Sequence, residues 1–141
     1  MAPDQIRIVR RGFQSIAGKS DRAAALFFAH LFEIDPSLRR LFPGDLARRG
    51  AKLVHAVGLI VEDLHRVYVF VPALEALAVR LAGHGLDPSD YARFGEALKR
   101  TARSLLGDRF TPDMEAALDR IYAELSGVMV GTTSREFRLA A

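Results

Sequence analysis

The sequence predicts an all-α protein, a single domain of about seven to eight helices. Three observations carry that reading. Apolar residues recur three and four positions apart through every long segment, which is the spacing of one helix face. Those segments are separated by helix-ending and helix-starting words: Asp35-Pro36, Pro43-Gly44-Asp45, the Gly83 and Gly85 pair, and Thr111-Pro112. The one β-prone run, HRVYVFV, has no partner strand anywhere in the chain, so tertiary context should override its propensity.

The elements follow in order. Asp4 is placed to cap the first helix, which sets Ile6, Val9, Phe13 and Ile16 on one face and ends at Gly18. Ser20 or Asp21 is placed to cap the second, whose stripe is Ala24, Phe27, Phe28 and Leu31, widened by Phe32. Asp35-Pro36 stops that helix and opens a short one, PSLRRLF, because proline suits a first turn and disfavours helix in the residue before it. After the corner at Pro43-Gly44-Asp45 a long helix runs from about Leu46 to Leu64, with Leu53, Val57, Ile60, Val61 and Leu64 inward.

Pro72 opens the next helix, in which Leu74, Leu77, Ala78 and Leu81 share a face. Gly83 and Gly85 break it. Asp87-Pro88 starts another, with Leu86 and Tyr91 clasped across the Asp87 cap, and it runs through Phe94, Leu98, Ala102 and Leu105 to Gly107. Thr111-Pro112 begins the last long helix, striped by Met114, Leu118, Ile121, Leu125 and Met129. Beyond Gly131 the periodicity fades, so the expected division is a domain over 1–131 and a frayed tail over 132–141.

Composition narrows the function classes. With 141 residues the chain can bury one core without staples, and the lack of cysteine removes disulfide and thiolate chemistry. The net charge is only +3, and the basic residues are scattered among acidic and apolar ones. No basic face with interleaved aromatics forms, which argues against nucleic acid as a partner. No run approaches the roughly 20 apolar residues that cross a bilayer, so no membrane partner is expected and a cytoplasmic location is. Phosphate-cradling glycine loops, paired histidines of metalloprotease type and nucleophile elbows are absent from the sequence, and Ser15 and Ser104 sit in helical patterns with no base nearby.

Five words in order, FFAHLFEIDPSLRRLFPGD, GAKLVHAVGLIVEDL, VPALEALA, HGLDPSDYARFGEAL and IYAELSGVMV, give a chain that resembles the globin family. The likeness is to bacterial single-domain haemoglobins and the haem domain of flavohaemoglobins, and it runs from about Gln5 to Val130. It implies a globin fold, haem b as cofactor and oxygen or another diatomic gas as ligand. The gas is carried or sensed by a binding protein more than by an enzyme. A homodimer is left open, and any reductase is a separate protein.

The resemblance also assigns positions. Phe42 matches the aromatic that lies flat on the porphyrin, and Leu53 the aliphatic that limits access on the gas-binding side. Phe28 stands where bacterial relatives often carry a tyrosine that donates to bound oxygen. Arg49 falls where glutamine or histidine is usual, and Lys52 lies beside Leu53. Tyr91 matches a tyrosine that acts with a glutamate near the proximal histidine. Val57, Leu77, Leu86 and Phe94 complete the expected lining.

The position of the iron-ligating histidine itself, four residues before Gly85, is Leu81. Leucine has no lone pair for iron. The neighbouring histidine, His84, lies three residues on, which is about 300° and 4.5 Å further along an ideal helix. Three outcomes follow from the sequence. The glycines beside His84 let the helix end slip so that His84 binds iron. Alternatively Lys52, or less readily His55, binds from the other side. In the third, no haem binds and the fold is a haem-free sensor or interaction module, as the continuous stripe Leu74, Leu77, Ala78, Leu81 would suit. His30 reads as a boundary residue and His65 as a solvated one.

Overall fold

A computed structural model describes residues 2–140. Met1 and Ala141, the outermost residues of the expected domain and tail, lie outside the described residues. Six α-helices form: α1 (Pro3–Ile16), α2 (Ser20–Ile34), α3 (Leu46–Glu62), α4 (Val71–Gly83), α5 (Asp90–Leu106) and α6 (Pro112–Ala140). No strand occurs among the described residues.

The count falls below seven because Pro36–Leu41 and the β-prone Leu64–Phe70 wind as tighter 3₁₀ turns. Leu64–Phe70 kinks at Arg66 (φ −122°, ψ 41°), which stops it from merging into a longer helix.

Helix starts differ from expectation where proline intervenes. Ala2, extended at φ −73° and ψ 141°, precedes α1, and Pro3 occupies its first turn. Asp4 is therefore inside the helix and caps nothing; it sits 3.4 Å from Arg7, with its charge near the positive end of the helix dipole. Neither Ser20 nor Asp21 caps α2, because the preceding 3₁₀ turn Ala17–Lys19 leads straight into it and the Ser20 hydroxyl donates to the Ala17 carbonyl at 2.9 Å. α5 starts at Asp90 and not at Asp87-Pro88, because Asp87 accepts from the amide and hydroxyl of Ser89 in a turn ahead of the helix, whose own cap position, Ser89, makes no side-chain bond; the starts of α3 and α6 hold. Asp45 accepts from the amides of Ala47 and Arg48, and Thr111 from that of Met114.

α6 continues past Gly131, where fraying was expected. Thr132 and Thr133 are buried there, Thr133 completely, and its hydroxyl lies 2.9 Å from that of Tyr91. A polar pair holds this turn in the core, so a stripe traced through apolar residues alone ends too early.

α2 packs on α5 and α3, while α1 and α4 pack on α6. Close crossings depend on missing side chains. A Cβ at Gly50 of α3 would stand 2.6 Å from Cβ of Ala24 on α2, and one at Gly95 of α5 would stand 2.7 Å from the Tyr122 ring on α6. Two buried clusters result. The smaller is Val9, Leu64, Ala117 and Ile121; the larger joins α2, the 3₁₀ turn Pro36–Leu41 and α5 through Phe28, Leu31, Leu38, Leu41, Leu86, Tyr91 and Ala97. Among the described residues no helix is long and apolar enough to cross a membrane.

Candidate ligand-binding cleft

α3 and α4 lean on different neighbours, α3 on α2 and α4 on α6, and pack little on each other. Leu53 from α3 and Leu81 from α4 both rest on the larger cluster and both stay half-buried. Val57 and Leu77, one turn away on the same two helices, are half-buried as well. Leu53 and Leu81 thus share a floor, while α3 and α4 pack little on each other.

The floor is aromatic. Phe28, 4% exposed, stacks on Phe32 with ring centres 5.8 Å apart and meets Phe42 edge-on at 5.0 Å. Phe42 lies 6.2 Å from Phe94, which meets Tyr91 at 5.9 Å and 87°. Edge-to-face contacts of this kind lock ring orientation beyond what burial alone gives. Phe28, Phe42, Leu53, Leu81, Leu86, Tyr91 and Phe94 pack in one cluster, whereas Val57 and Leu77, half-buried on the same two helices, are not members of it.

The polar candidates stay outside. Arg49 and Lys52 are exposed, and Arg49 donates from Nε to the Pro43 carbonyl at the preceding corner. His84 is exposed too. The backbone explains why. The amide of His84 donates to the Leu81 carbonyl, that of Gly85 to Ala82 and that of Leu86 again to Leu81, each at 3.0 Å, with Gly85 at φ +94°. This is a Schellman ending, in which a left-handed glycine lets the chain double back and the following apolar residue, here fully buried Leu86, plugs into the core. Gly83 remains helical, so the break lies at Gly85 alone.

A side-chain clamp fixes that corner from outside. Arg40 donates to the Gly85 carbonyl at 3.0 Å and lies 4.0 Å from Asp90. Asp90 is buried; it accepts from the Asp87 amide at 2.9 Å and from Arg93 at 2.9 Å. Asp87 accepts from the amide and hydroxyl of Ser89, and both bonds hold its carboxyl below the usual carboxylate range. Slipping His84 inward by a turn would break three backbone bonds worth about 1 kcal/mol each, and the clamp with them.

The other histidines are no nearer. His55 is exposed, His65 is exposed and 3.9 Å from Asp63, and His30 has its Nε2 3.5 Å from the Ser104 hydroxyl. Tyr91 is spoken for. Its hydroxyl pairs with Thr133, its carbonyl accepts from the Tyr122 hydroxyl at 2.5 Å, and burial pushes both phenols up. The resemblance implies a glutamate as partner of this tyrosine; the structure supplies Thr133 instead. Sequence reasoning missed Thr133 and Arg40. A buried tyrosine needing a hydroxyl partner was the available signal for the first, and none existed for the second.

The apolar lining gathered here, Phe42, Phe94, Leu53 and Leu81, has the chemistry of a porphyrin's flat faces. Its donors do not suit iron, since no histidine among the described residues reaches the cluster.

The fold and this helix arrangement define a globin. Residues 25–129 match the family described as Globin, and the chain belongs to it. It is similar to the flavohemoprotein of Rhodopirellula baltica, 24% identical over 129 residues, which are 89% of this chain and 32% of that protein. It also resembles the flavohemoprotein of Bordetella parapertussis, 25% identical over 82% of this chain and 29% of that protein. That of Rhizobium meliloti is 25% identical over 77% and 28%. The chain spans about a third of the length of these relatives.

Proposed function

We propose that the chain binds haem b in the cleft between α3 and α4 and, through it, carries or senses oxygen or another diatomic gas. The observation that carries this reading is that Leu53 of α3 and Leu81 of α4, both half-buried, pack against the same aromatic cluster as Phe28, Phe42 and Phe94. Haem iron, when bound, supplies the position at which a gas is held. The chain supplies exclusion of water through Phe28, Phe42 and Leu53. It offers no hydrogen bond from position 28, and a charge-assisted donor there would contribute about 1–3 kcal/mol to oxygen retention. Weak, fast-exchanging oxygen binding follows, in a cytoplasmic binding protein. The domain covers 1–131 together with the turn of α6 that carries Thr133.

Expression with haem precursor and gel filtration tests the reading. An intense near-ultraviolet haem band that elutes at one haem per chain supports it, and Leu81→His should then shift that band to the position of imidazole-ligated iron. A second reading, a haem-free sensor or interaction module, is favoured by Leu81 continuing the core stripe and by Arg49 being tied back to Pro43. A colourless protein from haem-rich cells refutes the first reading and leaves the second.

A further inference from the structure

Residues 67–71 read Val-Tyr-Val-Phe-Val, a run of strand-favouring side chains with no charge, glycine or proline among them. The fold winds this run instead into the 3₁₀ turns Leu64–Phe70 and the first residue of α4. Bonds of that kind have poor geometry, so such turns seldom persist beyond three or four residues. The winding is further broken at Arg66, whose angles are not helical. Neither end is capped, since Asp63 ahead of the turns and Phe70 ahead of α4 make no side-chain bond to the amides that follow. Burial holds the run only in part. Leu64 is anchored in the smaller core cluster, but Tyr68 is 68% and Val69 51% exposed, and Val67, Phe70 and Val71 are half-buried. Local preference and tertiary context therefore disagree here, and a segment with few buried contacts opens before the rest of the fold.

Once extended, the run alternates, with Val67, Val69 and Val71 on one face and Tyr68 and Phe70 on the other. Two identical copies stacked in register set valine on valine and aromatic on aromatic, and no charge meets its like. Arg66 and Pro72 bound the run. Stacked arginines repel on one side, and proline lacks the pairing amide on the other. Five residues span about 10 Å as 3₁₀ turns and about 17 Å as a strand, so the first turn of α4 has to open with them. We propose that residues 67–71 form a self-association segment, which leaves its 3₁₀ winding and pairs as an intermolecular strand with the same segment of a second copy. Its partner is another copy of this chain, whatever the cleft between α3 and α4 binds.

The full chain held in urea below its unfolding midpoint, where local opening is populated and the fold persists, tests this by thioflavin fluorescence, infrared absorption and hydrogen exchange. β-Rich assemblies are expected in which the amides of residues 67–71 are protected. Tyr68→Lys and Val69→Lys, one on each face of the strand, should each lengthen the assembly half-time by about tenfold or more, because the new charge stacks on itself. A variant with a damaged fold opens more readily and assembles faster, so slowing cannot come from damage. Leu59→Lys on α3, an equally apolar site that is 54% exposed, should leave the half-time within about twofold of wild type, as a scattered surface residue would. Assembly at the wild-type rate in both segment variants, protection that maps outside residues 67–71, or a wild-type chain that stays monomeric and helical throughout overturns the inference.

Discussion

The buried pair Tyr91 and Thr133 gives the sharpest test of how α5 is joined to α6. Thr133→Val keeps the shape of a side chain with no solvent exposure and removes its hydroxyl. The Tyr91 hydroxyl, 2.9 Å away, is then buried without its partner. Stranding a buried hydroxyl costs about 1–3 kcal/mol. For a domain of this size that lowers Tm by about 3–10 °C. Tyr91→Phe strands the threonine instead, which can turn back to a carbonyl of its own helix, so the cost should be lower. The double variant replaces both partners by apolar groups of similar shape and should be nearly as stable as wild type. Urea unfolding of the four proteins closes the cycle, with an expected coupling of about 1–3 kcal/mol. Additive losses in the double variant would refute the claim that this bond holds the last turns of α6 in the core.

Gly95→Ala should destabilise by about 1–3 kcal/mol, because its Cβ would meet the Tyr122 ring at 2.7 Å and that ring is held by its bond to the Tyr91 carbonyl. Gly127→Ala on the open side of α6 meets nothing within 4 Å and should stabilise by about 0.5–1 kcal/mol, both read by urea midpoint. Arg40→Gln should raise amide hydrogen exchange over residues 84–86 with little change elsewhere, as expected if the clamp on Gly85 and Asp90 sets the corner. The pH dependence has a sign on each side. Burial raises the folded pKa of Tyr91 and Tyr122, so their stabilisation is complete below about pH 10 and falls as pH rises beyond it, when the unfolded chain ionises first. Hydrogen bonds lower Asp35 and Asp87, so their contribution is present above the ordinary carboxylate value of 3.8 and is lost as pH falls through the folded pKa. Urea midpoints between pH 2 and 11 check both limbs.

The helices were legible because burial imposes a period, and proline, glycine and aspartate mark where it stops. The same rule failed at three points, at the first through residues next to the signal and at the other two through interactions far along the chain. Asp4 and Ser20 look like caps until the residue before each is seen to continue the chain into helix. The tail beyond Gly131 looks polar until Thr133 meets a residue 42 positions earlier in the chain. The corner looks loose at two glycines until Gly83 proves helical and Arg40 arrives from 45 residues away. Phe28, Phe42, Leu53, Leu81, Leu86, Tyr91 and Phe94 share one cluster because burial drives apolar residues together whatever the ligand. Where Arg49, Lys52 and His84 point was not legible, because the direction of a long polar side chain depends on which partner it finds.

That asymmetry explains how the fold of this globin stands with a leucine at position 81. Position 81 lies in the stripe that seats α4 on the core, and a leucine there strengthens the stripe where an imidazole would need a partner for its second nitrogen. The corner bonds run through the Leu81 carbonyl, which every residue type provides, so they too are indifferent to the side chain. The aromatic floor is held by its own edge-to-face contacts and by the 3₁₀ turn that delivers Phe42. None of these supports passes through a metal. Selection for the scaffold and selection for the ligand therefore act on different atoms of the same residues, and the cleft can keep its shape while the chemistry at its centre changes.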